Sequence, residues 1–312
     1  MNIIIPMAGM GKRLRPHTLT VPKPLIPIAG KPIIQRLVED IAAVCAVPID
    51  EIAFVVGEFG EEVEARLLGI AESVGAKGRI CYQREALGTA HAVLCGAESL
   101  SGNVVVAYAD TLFRADFQLD TEREASIWVK PVADPSAFGV VSLNQAGEIT
   151  GFVEKPQTFV SDLAIIGIYY FRNGANLRRE LEFLIENNIQ VKGEYYLTDA
   201  IETMRRKGVV FVPSRVEEWL DCGNKQATVE TNQRYLEFIR DTELVAASAQ
   251  LVNTVLVPPV FVGENVYLEN TVIGPHVSLG NGTRIVGSVL RNCIVQEATV
   301  LRNVHLADSM VG

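Results

Sequence analysis

NIIIPMAGMGKRLRPHTLTVPKPLIPIAGKPII, residues 2–34, begins with a β-branched run, Ile3 to Ile5, that predicts a buried strand. The run breaks into Gly9 and Gly11, where the backbone can lie close to a ligand. Six cations then precede the first acidic residue, in a chain whose net charge is −9. They are Lys12, Arg13, Arg15, Lys23, Lys31 and Arg36. Exposed backbone N–H groups beside positive charge favour a polyphosphate, so the segment predicts an anion site.

Two common phosphate-binding loops do not fit this segment. In the P-loop pattern G-x-x-x-x-G-K-[ST], Pro6 stands at the first glycine and Arg13 at the Ser or Thr that binds magnesium. In the dinucleotide pattern G-x-G-x-x-G, Leu14 stands at the third glycine. A different phosphate loop is therefore expected.

Three linked pieces, residues 9–16, 22–25 and 31–32, resemble the signature of the sugar-phosphate nucleotidylyltransferases. That signature is roughly G-x-G-x-R-L-x-P, followed by P-K-P-L and then K-P. Ala8 and Lys12 depart from the family pattern, which more often has Gly and Thr or Ser, but neither change removes a cation. The resemblance implies an enzyme that joins a nucleoside triphosphate to a sugar-1-phosphate and releases pyrophosphate. The nucleotide-binding residues that it implies in this segment are Ala8, Gly9, Gly11, Lys12 and Arg13.

The catalytic groups implied by the resemblance are two cations and two carboxylates. Arg13 would hold the β- and γ-phosphates as a fork and stabilise charge on departing pyrophosphate. Lys23, between two prolines, is a point cation on a stiff backbone suited to the α-phosphate or the incoming phosphate. Asp110 ends the apolar run VVVAYAD, and Asp221 lies in WLDCG, which matches the family's W-x-D-x-G. Each aspartate alone could be a turn residue, but together they imply a Mg²⁺ site.

Base choice is argued from Gln83, which lies before Leu87–Ala90, a match to the family's L-G-T-A. A glutamine offers one acceptor and one donor, which complement the N3–H and O4 edge of uracil or thymine. A guanine site would prefer Glu, so dTTP or UTP is favoured. Gly88 and Thr89 are expected beside the base, and a solvent-exposed strand end is the alternative reading of Gln83.

The resemblance also implies a sugar-phosphate side, with Glu154 accepting from sugar hydroxyls and Lys155 binding the phosphate. Asp162 stands where the family often has Asn, which leaves the sugar open. The stretch GEYYLTDAI, residues 193–201, resembles the family with no role beyond lining this side. The sugar-phosphate residues are Gly139, Glu154, Lys155 and Ile165.

Strands and helices alternate over the first 110 residues, which predicts a Rossmann-like α/β fold with a mainly parallel sheet. Ligands of such sheets bind beyond the carboxyl ends of the strands, where the glycine loop, Gln83 and Asp110 are expected. Strands in succession over residues 126–171 predict a smaller mixed-sheet half for the second substrate. Residues 1–240 are expected to form the catalytic domain.

Residues 241–312 are expected to form a second domain. They contain no lysine and carry six-residue units such as VGENVY (262–267), IGPHVS (273–278) and LGNGTR (279–284). Such repeats predict a left-handed parallel β-helix of about three coils of roughly 18 residues. Acyl transfer is one reading, but His276 and His305 have no recognisable catalytic setting, so a cap or a subunit interface in a homo-oligomer is favoured.

Composition and residue order argue against a membrane protein, a secreted protein and a nucleic-acid-binding protein. No apolar run approaches the ~20 residues of a membrane span, and the N-terminal order of apolar before charged residues is the reverse of a secretory signal, so a cytoplasmic location is expected. The acidic balance argues against nucleic acid as a partner. The five cysteines are scattered without a C-x-x-C pair and are expected to be free thiols.

The function expected from the sequence is a magnesium-dependent sugar-1-phosphate nucleotidylyltransferase using glucose-1-phosphate with dTTP or UTP. The alternatives are a mannose-1-phosphate or amino-sugar enzyme with another nucleotide, and a non-catalytic regulatory or assembly subunit. The joint presence of five groups favours an active enzyme: Arg13, Lys23, Asp110, Lys155 and Asp221.

Overall fold

The protein is described by a computed structural model that covers residues 1–312. Its helices are α1 (Ile33–Val44), α2 (Glu61–Ser73), α3 (Thr89–Cys95), α4 (Gly174–Glu186), α5 (Leu197–Arg206) and α6 (Lys225–Phe238). Strands β1 to β7 are Asn2–Pro6, Pro27–Ile28, Lys31–Pro32, Glu51–Val56, Lys77–Tyr82, Val104–Ala107 and Thr111–Arg114. Strands β8 to β13 are Ala125–Pro131, Gly139–Leu143, Ile149–Glu154, Leu163–Phe171, Phe211–Arg215 and Glu218–Asp221. Strands β14 to β21 are Gln250–Leu256, Val260–Val262, Tyr267–Ile273, Val277–Leu279, Arg284–Val286, Val289–Val295, Val300–Arg302 and His305–Val311.

The chain divides into two compact units, and neither is continuous in sequence. The sheet unit comprises Met1–Gly9 and Leu37–Trp219, and the loop-tail unit comprises Met10–Arg36 and Leu220–Gly312. The boundary expected at residue 240 stays a prediction about domains.

The sheet unit is built on a nine-stranded sheet. Seven of its strands follow the order β10-β9-β11-β6-β1-β4-β5, and the other two lie off this path, where β8 pairs with β11 and β12 pairs with β8. Strands β6, β1, β4 and β5 run parallel, as their alternation with helices predicts. The apolar residues of β6, β1 and β4 are fully buried, for example Ile3 to Ile5 and Val104 to Ala107, whereas those of the edge strand β5 are only partly buried. The unit therefore has the mixed α/β fold with a parallel sheet expected from the sequence.

The strands expected as a separate smaller half instead continue the same sheet. The reason is the nine-residue strand β11, which pairs antiparallel to β6 through residues 168–171 and to β9 through Ala164. Its register with β8 shifts between Ile165 and Tyr169, and Gly167 within this interval has φ +85°. One long irregular strand thus joins the two groups of strands.

Residues 250–311 of the loop-tail unit form an eight-stranded sheet in which the recorded strand pairs are all parallel. Gln250 pairs with Tyr267, Tyr267 with Arg284, and Arg284 with Val300. Side-chain hydrogen bonds join Asn253 to Asn270, 17 residues further along, and Asn292 to Asp308, 16 residues further along. The repeat is therefore slightly shorter than the roughly 18 residues expected.

Three sets of residues with left-handed backbone conformation recur along these parallel strands. Residues of one set lie 16 or 17 positions apart and share a positive φ, which Asn, Asp and Gly tolerate best. Within the sets, Asn253 Nδ2 donates to Asn270 Oδ1 at 2.6 Å and Asn292 Nδ2 to Asp308 Oδ1 at 2.7 Å. The sets are 253, 270, 287 and 303; 265, 282 and 298; and 276, 292 and 308.

The hairpin β2–β3 of the signature segment packs within the same unit on the tail. A Cβ at Gly30 would lie 2.1 Å from ring carbon Cζ of Phe261, so only glycine fits under this ring. The Ala29 N–H donates to Asn232 Oδ1 at 2.9 Å, and the buried Ser278 hydroxyl donates to the same oxygen at 2.7 Å. The tail therefore helps to hold the signature segment.

No helix in the chain combines the length and the apolar character needed to span a membrane. The five cysteines are free thiols, as expected, and Cys222 and Cys293 are buried.

Candidate functional site

Gln83 and Gly88 lie together in the sheet unit, as the resemblance implies. Gln83 follows β5, and its N–H donates to the Val56 carbonyl at 2.9 Å, which extends the parallel ladder by one residue. Its side-chain nitrogen Nε2 lies 3.2 Å from the Gly88 carbonyl oxygen and 3.2 Å from His91 Nδ1. The N–H groups of the amide thus face the protein. The expectation from the sequence was that both the donor and the acceptor of this amide face the base.

Tyr195 holds the segment Leu87–Ala90 and belongs to the stretch 193–201, which was expected only to line the sugar side. The Tyr195 N–H donates to the Leu87 carbonyl, and the Ala90 N–H donates to the Tyr195 carbonyl, both at 2.9 Å. The Leu197 N–H donates to Thr89 Oγ1 at 2.9 Å. The stretch 193–201 therefore fixes the backbone beside Gln83.

Gly88→Ala is expected to raise the KM for the nucleotide and to destabilise the fold. Gly88 has φ +107° and ψ 179°, and an added Cβ would lie 2.4 Å from the Tyr195 carbonyl oxygen. Gly60→Ala is a matched control, since Gly60 precedes α2 with φ +88° and ψ 161° and has no atom within 4 Å of an added Cβ. The control should lose only the stability that backbone strain costs a non-glycine residue at this φ, about 1–3 kcal/mol. Thermal unfolding and KM measurements compare the two, and equal effects would contradict this role of Tyr195.

Asp110 lies on a turn held at both ends, three residues beyond the end of β6 rather than at its last residue. The Tyr108 N–H donates to the Gly167 carbonyl at 3.0 Å, and Thr111 Oγ1 donates to the Ile166 carbonyl at 2.7 Å. Trp219 Nε1 donates to Thr111 Oγ1 at 3.3 Å. The irregular strand β11 thereby fixes the turn that carries the half-buried Asp110.

Tyr108 is a site residue that the sequence analysis missed. Its phenol is hydrogen-bonded to the Thr89 side chain, and Gly167 leaves room for its ring, since a Cβ there would lie 2.8 Å from ring carbon Cδ2. Burial raises the pKa of Tyr108, the Thr89 hydrogen bond opposes this rise, and the carboxylates of Asp110 and Glu154 add to it. The phenol therefore stays protonated at neutral pH, and its hydrogen bond to Thr89 joins it to one of the expected nucleotide residues of this unit. A tyrosine within an apolar strand gave no signal beyond core packing.

Gly139, Glu154 and Ile165 also meet, as the resemblance implies. A Cβ at Gly139 would lie 2.9 Å from Glu154 Oε2 and 3.5 Å from the Cδ1 methyl of Ile165. Lys155 follows with φ +46°, and its Nζ lies 3.7 Å from Glu154 Oε1 with both side chains mostly exposed. An anion binding Lys155 would compete with this exposed pair, which contributes little stability.

Gly11 and Lys23 lie side by side in the loop-tail unit. Gly11 has φ +57°, and its added Cβ would lie 2.8 Å from the Lys23 Cβ. Thr18 Oγ1 donates to the Gly11 carbonyl at 2.9 Å. Pro22 precedes the short 3-10 turn that Lys23 begins, which agrees with the expected stiff mount, while the side chains of Lys12 and Arg13 are exposed. Of the remaining nucleotide residues, Ala8 and Gly9 follow β1 in the sheet unit.

Arg36, counted among the anion-site cations, has a structural role instead. Its guanidinium is buried, donates to the carbonyls of Ile28 at 3.2 Å and Ala29 at 2.7 Å, and lies 4.2 Å from the centre of the Tyr235 ring. A cation held by two carbonyls and an aromatic face stabilises the hairpin. This role could not be predicted from the sequence, because the charge of Arg36 is the same in both roles.

Asp221 ends β13 and is fixed by its own neighbours. The Gly223 N–H donates to Asp221 Oδ1 at 2.9 Å, and Thr231 Oγ1 of α6 donates to the Asp221 carbonyl at 2.8 Å. A Cβ at Gly223 would lie 2.9 Å from the same carboxylate oxygen, so the glycine in W-x-D-x-G leaves room for the carboxylate. The structure contains no group of three or more His, Cys, Asp or Glu placed to hold a metal ion.

A family model described as Nucleotidyl transferase matches residues 2–237. The chain therefore belongs to the nucleotidyl transferase family, and the expected enzyme class, a sugar-1-phosphate nucleotidylyltransferase, is confirmed.

Several relatives match over all or most of the chain. It is 29% identical over 337 residues to a glucose-1-phosphate thymidylyltransferase of Streptomyces antibioticus, with 100% of this chain and 92% of the relative covered. It is 30% identical over 330 residues to the protein of the same description from Streptomyces griseus, with 100% and 89% covered. It is also 30% identical over 280 residues to a mannose-1-phosphate guanylyltransferase catalytic subunit beta of Danio rerio, with 85% and 74% covered.

Solved structures agree on the fold. A putative glucose-1-phosphate thymidylyltransferase from Bacillus anthracis matches with a TM-score of 0.63 at 23% identity, over 78% of this chain and 97% of that chain. A nucleoside-diphosphate-sugar pyrophosphorylase from Vibrio cholerae matches with a TM-score of 0.64 at 20% identity, over 74% and 99%.

Proposed function

We propose that the enzyme joins a pyrimidine nucleoside triphosphate, dTTP or UTP, to glucose-1-phosphate and releases pyrophosphate. The observation that carries the nucleotide choice is Gln83, whose Nε2 faces the Gly88 carbonyl at 3.2 Å. Its Oε1 remains to accept from the N3–H of thymine or uracil. Guanine presents two neighbouring N–H donors and would call for two acceptors. The names of the Streptomyces relatives support the same nucleotide and sugar.

In the proposed reaction, an oxygen of the sugar phosphate attacks the α-phosphorus in line with the leaving group. The new bond joins that oxygen to the α-phosphorus, and the bond from the α-phosphorus to the bridging oxygen of the β-phosphate breaks. A phosphate monoester loses its second proton near pH ~6, so the nucleophile is ionised and needs no general base. The residues must instead neutralise charge and orient the reactants.

The cations and carboxylates divide this work. Arg13 holds the β- and γ-phosphates through its planar fork, and Lys23 beside Gly11 neutralises the α-phosphate or the incoming phosphate. Lys155 binds the phosphate of the sugar, and Glu154 accepts from its hydroxyls. Tyr108 remains a donor because its pKa is raised.

We also propose Mg²⁺ as the cofactor, with Asp110 and Asp221 as the residues that would hold it. The two aspartates suit this ion because Mg²⁺ prefers one or two carboxylates together with substrate phosphate oxygens and water. When bound, the ion would neutralise charge on the α- and leaving phosphates.

The test is pyrophosphate release with Mg²⁺ across ATP, GTP, CTP, UTP and dTTP, against glucose-, mannose- and N-acetylglucosamine-1-phosphate. Release confined to UTP or dTTP with glucose-1-phosphate is the expected result. Release with GTP and mannose-1-phosphate would instead support the alternative that the Danio rerio relative suggests. Silence across the grid would point to the non-catalytic subunit.

Gln83→Glu is expected to raise the KM for dTTP or UTP about ten-fold, the cost of one lost hydrogen bond with a buried partner. A carboxylate offers no N–H to the Gly88 carbonyl, so the side chain turns away from its present position. Steady-state kinetics measure the effect, with the KM for the sugar phosphate as the internal control. An unchanged KM for the pyrimidine nucleotide would refute the base assignment.

For residues 241–312 we propose a left-handed parallel β-helix that serves assembly of a homo-oligomer rather than acyl transfer. The 16- to 17-residue repeat and the three sets of residues with left-handed backbone conformation support the helix. The histidine most suited to chemistry, His276, has its Nε2 2.6 Å from Glu237 Oε1 of α6, which supports a packing role. Sedimentation of the full chain tests the assembly, and release of CoA from acetyl-CoA tests acyl transfer.

A further inference from the structure

His91 lies on α3 with its Nδ1 3.2 Å from Gln83 Nε2, and Gln83 Nε2 also lies 3.2 Å from the Gly88 carbonyl oxygen. A backbone carbonyl has no proton to donate, so the Gln83 atom that faces it must be the amide nitrogen. The alternative orientation of the amide would set two acceptors against each other. The Gly88 carbonyl thus determines which way the Gln83 amide points.

The orientation of the amide in turn determines the tautomer of His91. Amide nitrogen Nε2 carries two N–H groups and accepts no hydrogen bond, so His91 Nδ1 must be the acceptor and the ring proton must lie on Nε2. That Nε2 lies 4.0 Å from Cys95 Sγ, one helical turn further along α3. Burial raises the pKa of Cys95, so this neighbour is a neutral thiol that can accept weakly.

We propose that His91 is a positioning residue for base recognition. It holds the second N–H of the Gln83 amide, so that both donors of the amide face the protein and Oε1 is the only group offered to the base. The inference rests on the proposed function, in which a pyrimidine triphosphate is the substrate. An amide fixed in this way accepts from the N3–H of thymine or uracil and opposes a base with an acceptor at that position, such as cytosine. Without His91 the amide keeps one partner and rotates more freely.

The test compares wild type, His91→Phe and His91→Asn with dTTP, UTP and CTP. Phenylalanine keeps the ring and removes the acceptor, whereas the Oδ1 of asparagine can take the place of Nδ1. His91→Phe is expected to raise the KM for the pyrimidine substrate about ten-fold and to weaken its preference over CTP, with kcat and the KM for the sugar phosphate within about two-fold. His91→Asn should behave as wild type. If His91→Phe does not fold, His91→Ala removes the same acceptor without adding bulk.

Two outcomes would overturn the inference: His91→Phe with wild-type KM and wild-type discrimination, or His91→Asn with the same defect as His91→Phe. The second result would mean that the defect does not come from loss of the Nδ1 acceptor, because asparagine supplies an acceptor in its place. The wild type is measured first, because lack of a preference for dTTP or UTP refutes the proposed function itself. A wild type with that preference and an unaffected His91→Phe refute only the role of His91.

Discussion

Asp110→Asn is expected to lower kcat by about 10²- to 10³-fold, the range seen when one group that stabilises transition-state charge is removed. Asparagine has the same shape but lacks the charge that would hold Mg²⁺ on the phosphates. The turn itself should persist, because Tyr108 and Thr111 fix it through bonds to Gly167 and Ile166 that do not involve the carboxylate. Turnover, Mn²⁺ binding in the presence of nucleotide, and thermal unfolding together measure the effect.

Asp116→Asn is the matched control for this variant. Asp116 lies six residues further along the chain, is exposed, and has no proposed role in the reaction. Its removal should leave both turnover and metal binding unchanged. A folded Asp110→Asn enzyme with normal turnover would remove Asp110 from the proposed metal site.

Arg13→Ala should lower kcat by a similar factor, about 10²-fold or more, because the departing pyrophosphate loses the bidentate N–H donors of the guanidinium. Arg13→Lys keeps the charge without the fork and should recover only part of the rate. In the reverse reaction the KM for pyrophosphate should rise. Initial rates in both directions measure these effects.

The loop offers its own control in Arg15→Ala, which removes the same charge from an exposed side chain two residues away. A general loss of positive potential would affect both variants equally. Equal defects would therefore argue against a specific contact from Arg13 and in favour of a diffuse field.

The parallel part of the fold was predictable because its strands are continuous apolar runs, such as Val104 to Ala107, set between helices of clear periodicity. The continuation of the parallel strands into one nine-stranded sheet was not, since it depends on β11 pairing with different neighbours along its length. Gly167 carries this irregularity, and a single glycine within an apolar strand gives no indication of which strands it joins.

The proximity of several candidate residues was predictable from the spacing of the motifs, while their roles stay predictions. Gln83 meets Gly88, Gly11 meets Lys23, and Gly139 meets Glu154, as the motifs imply. The roles of Tyr108 and Arg36 were not predictable, because they depend in part on Gly167 and Tyr235, which lie far away in sequence. A structural arginine and a phosphate-binding arginine cannot be told apart by residue type, and only the packing around the guanidinium distinguishes them.

The pairing of Ala29 with Asn232 spans 203 residues, and Phe261 covers Gly30 from still further along the chain. During synthesis the signature segment is made well before Asn232 and Phe261, the residues that hold its hairpin. Contacts of such long range form late in folding. A nascent chain that has not yet reached Phe261 would therefore carry the complete signature without a finished hairpin, and a chain terminated before that residue would never complete it.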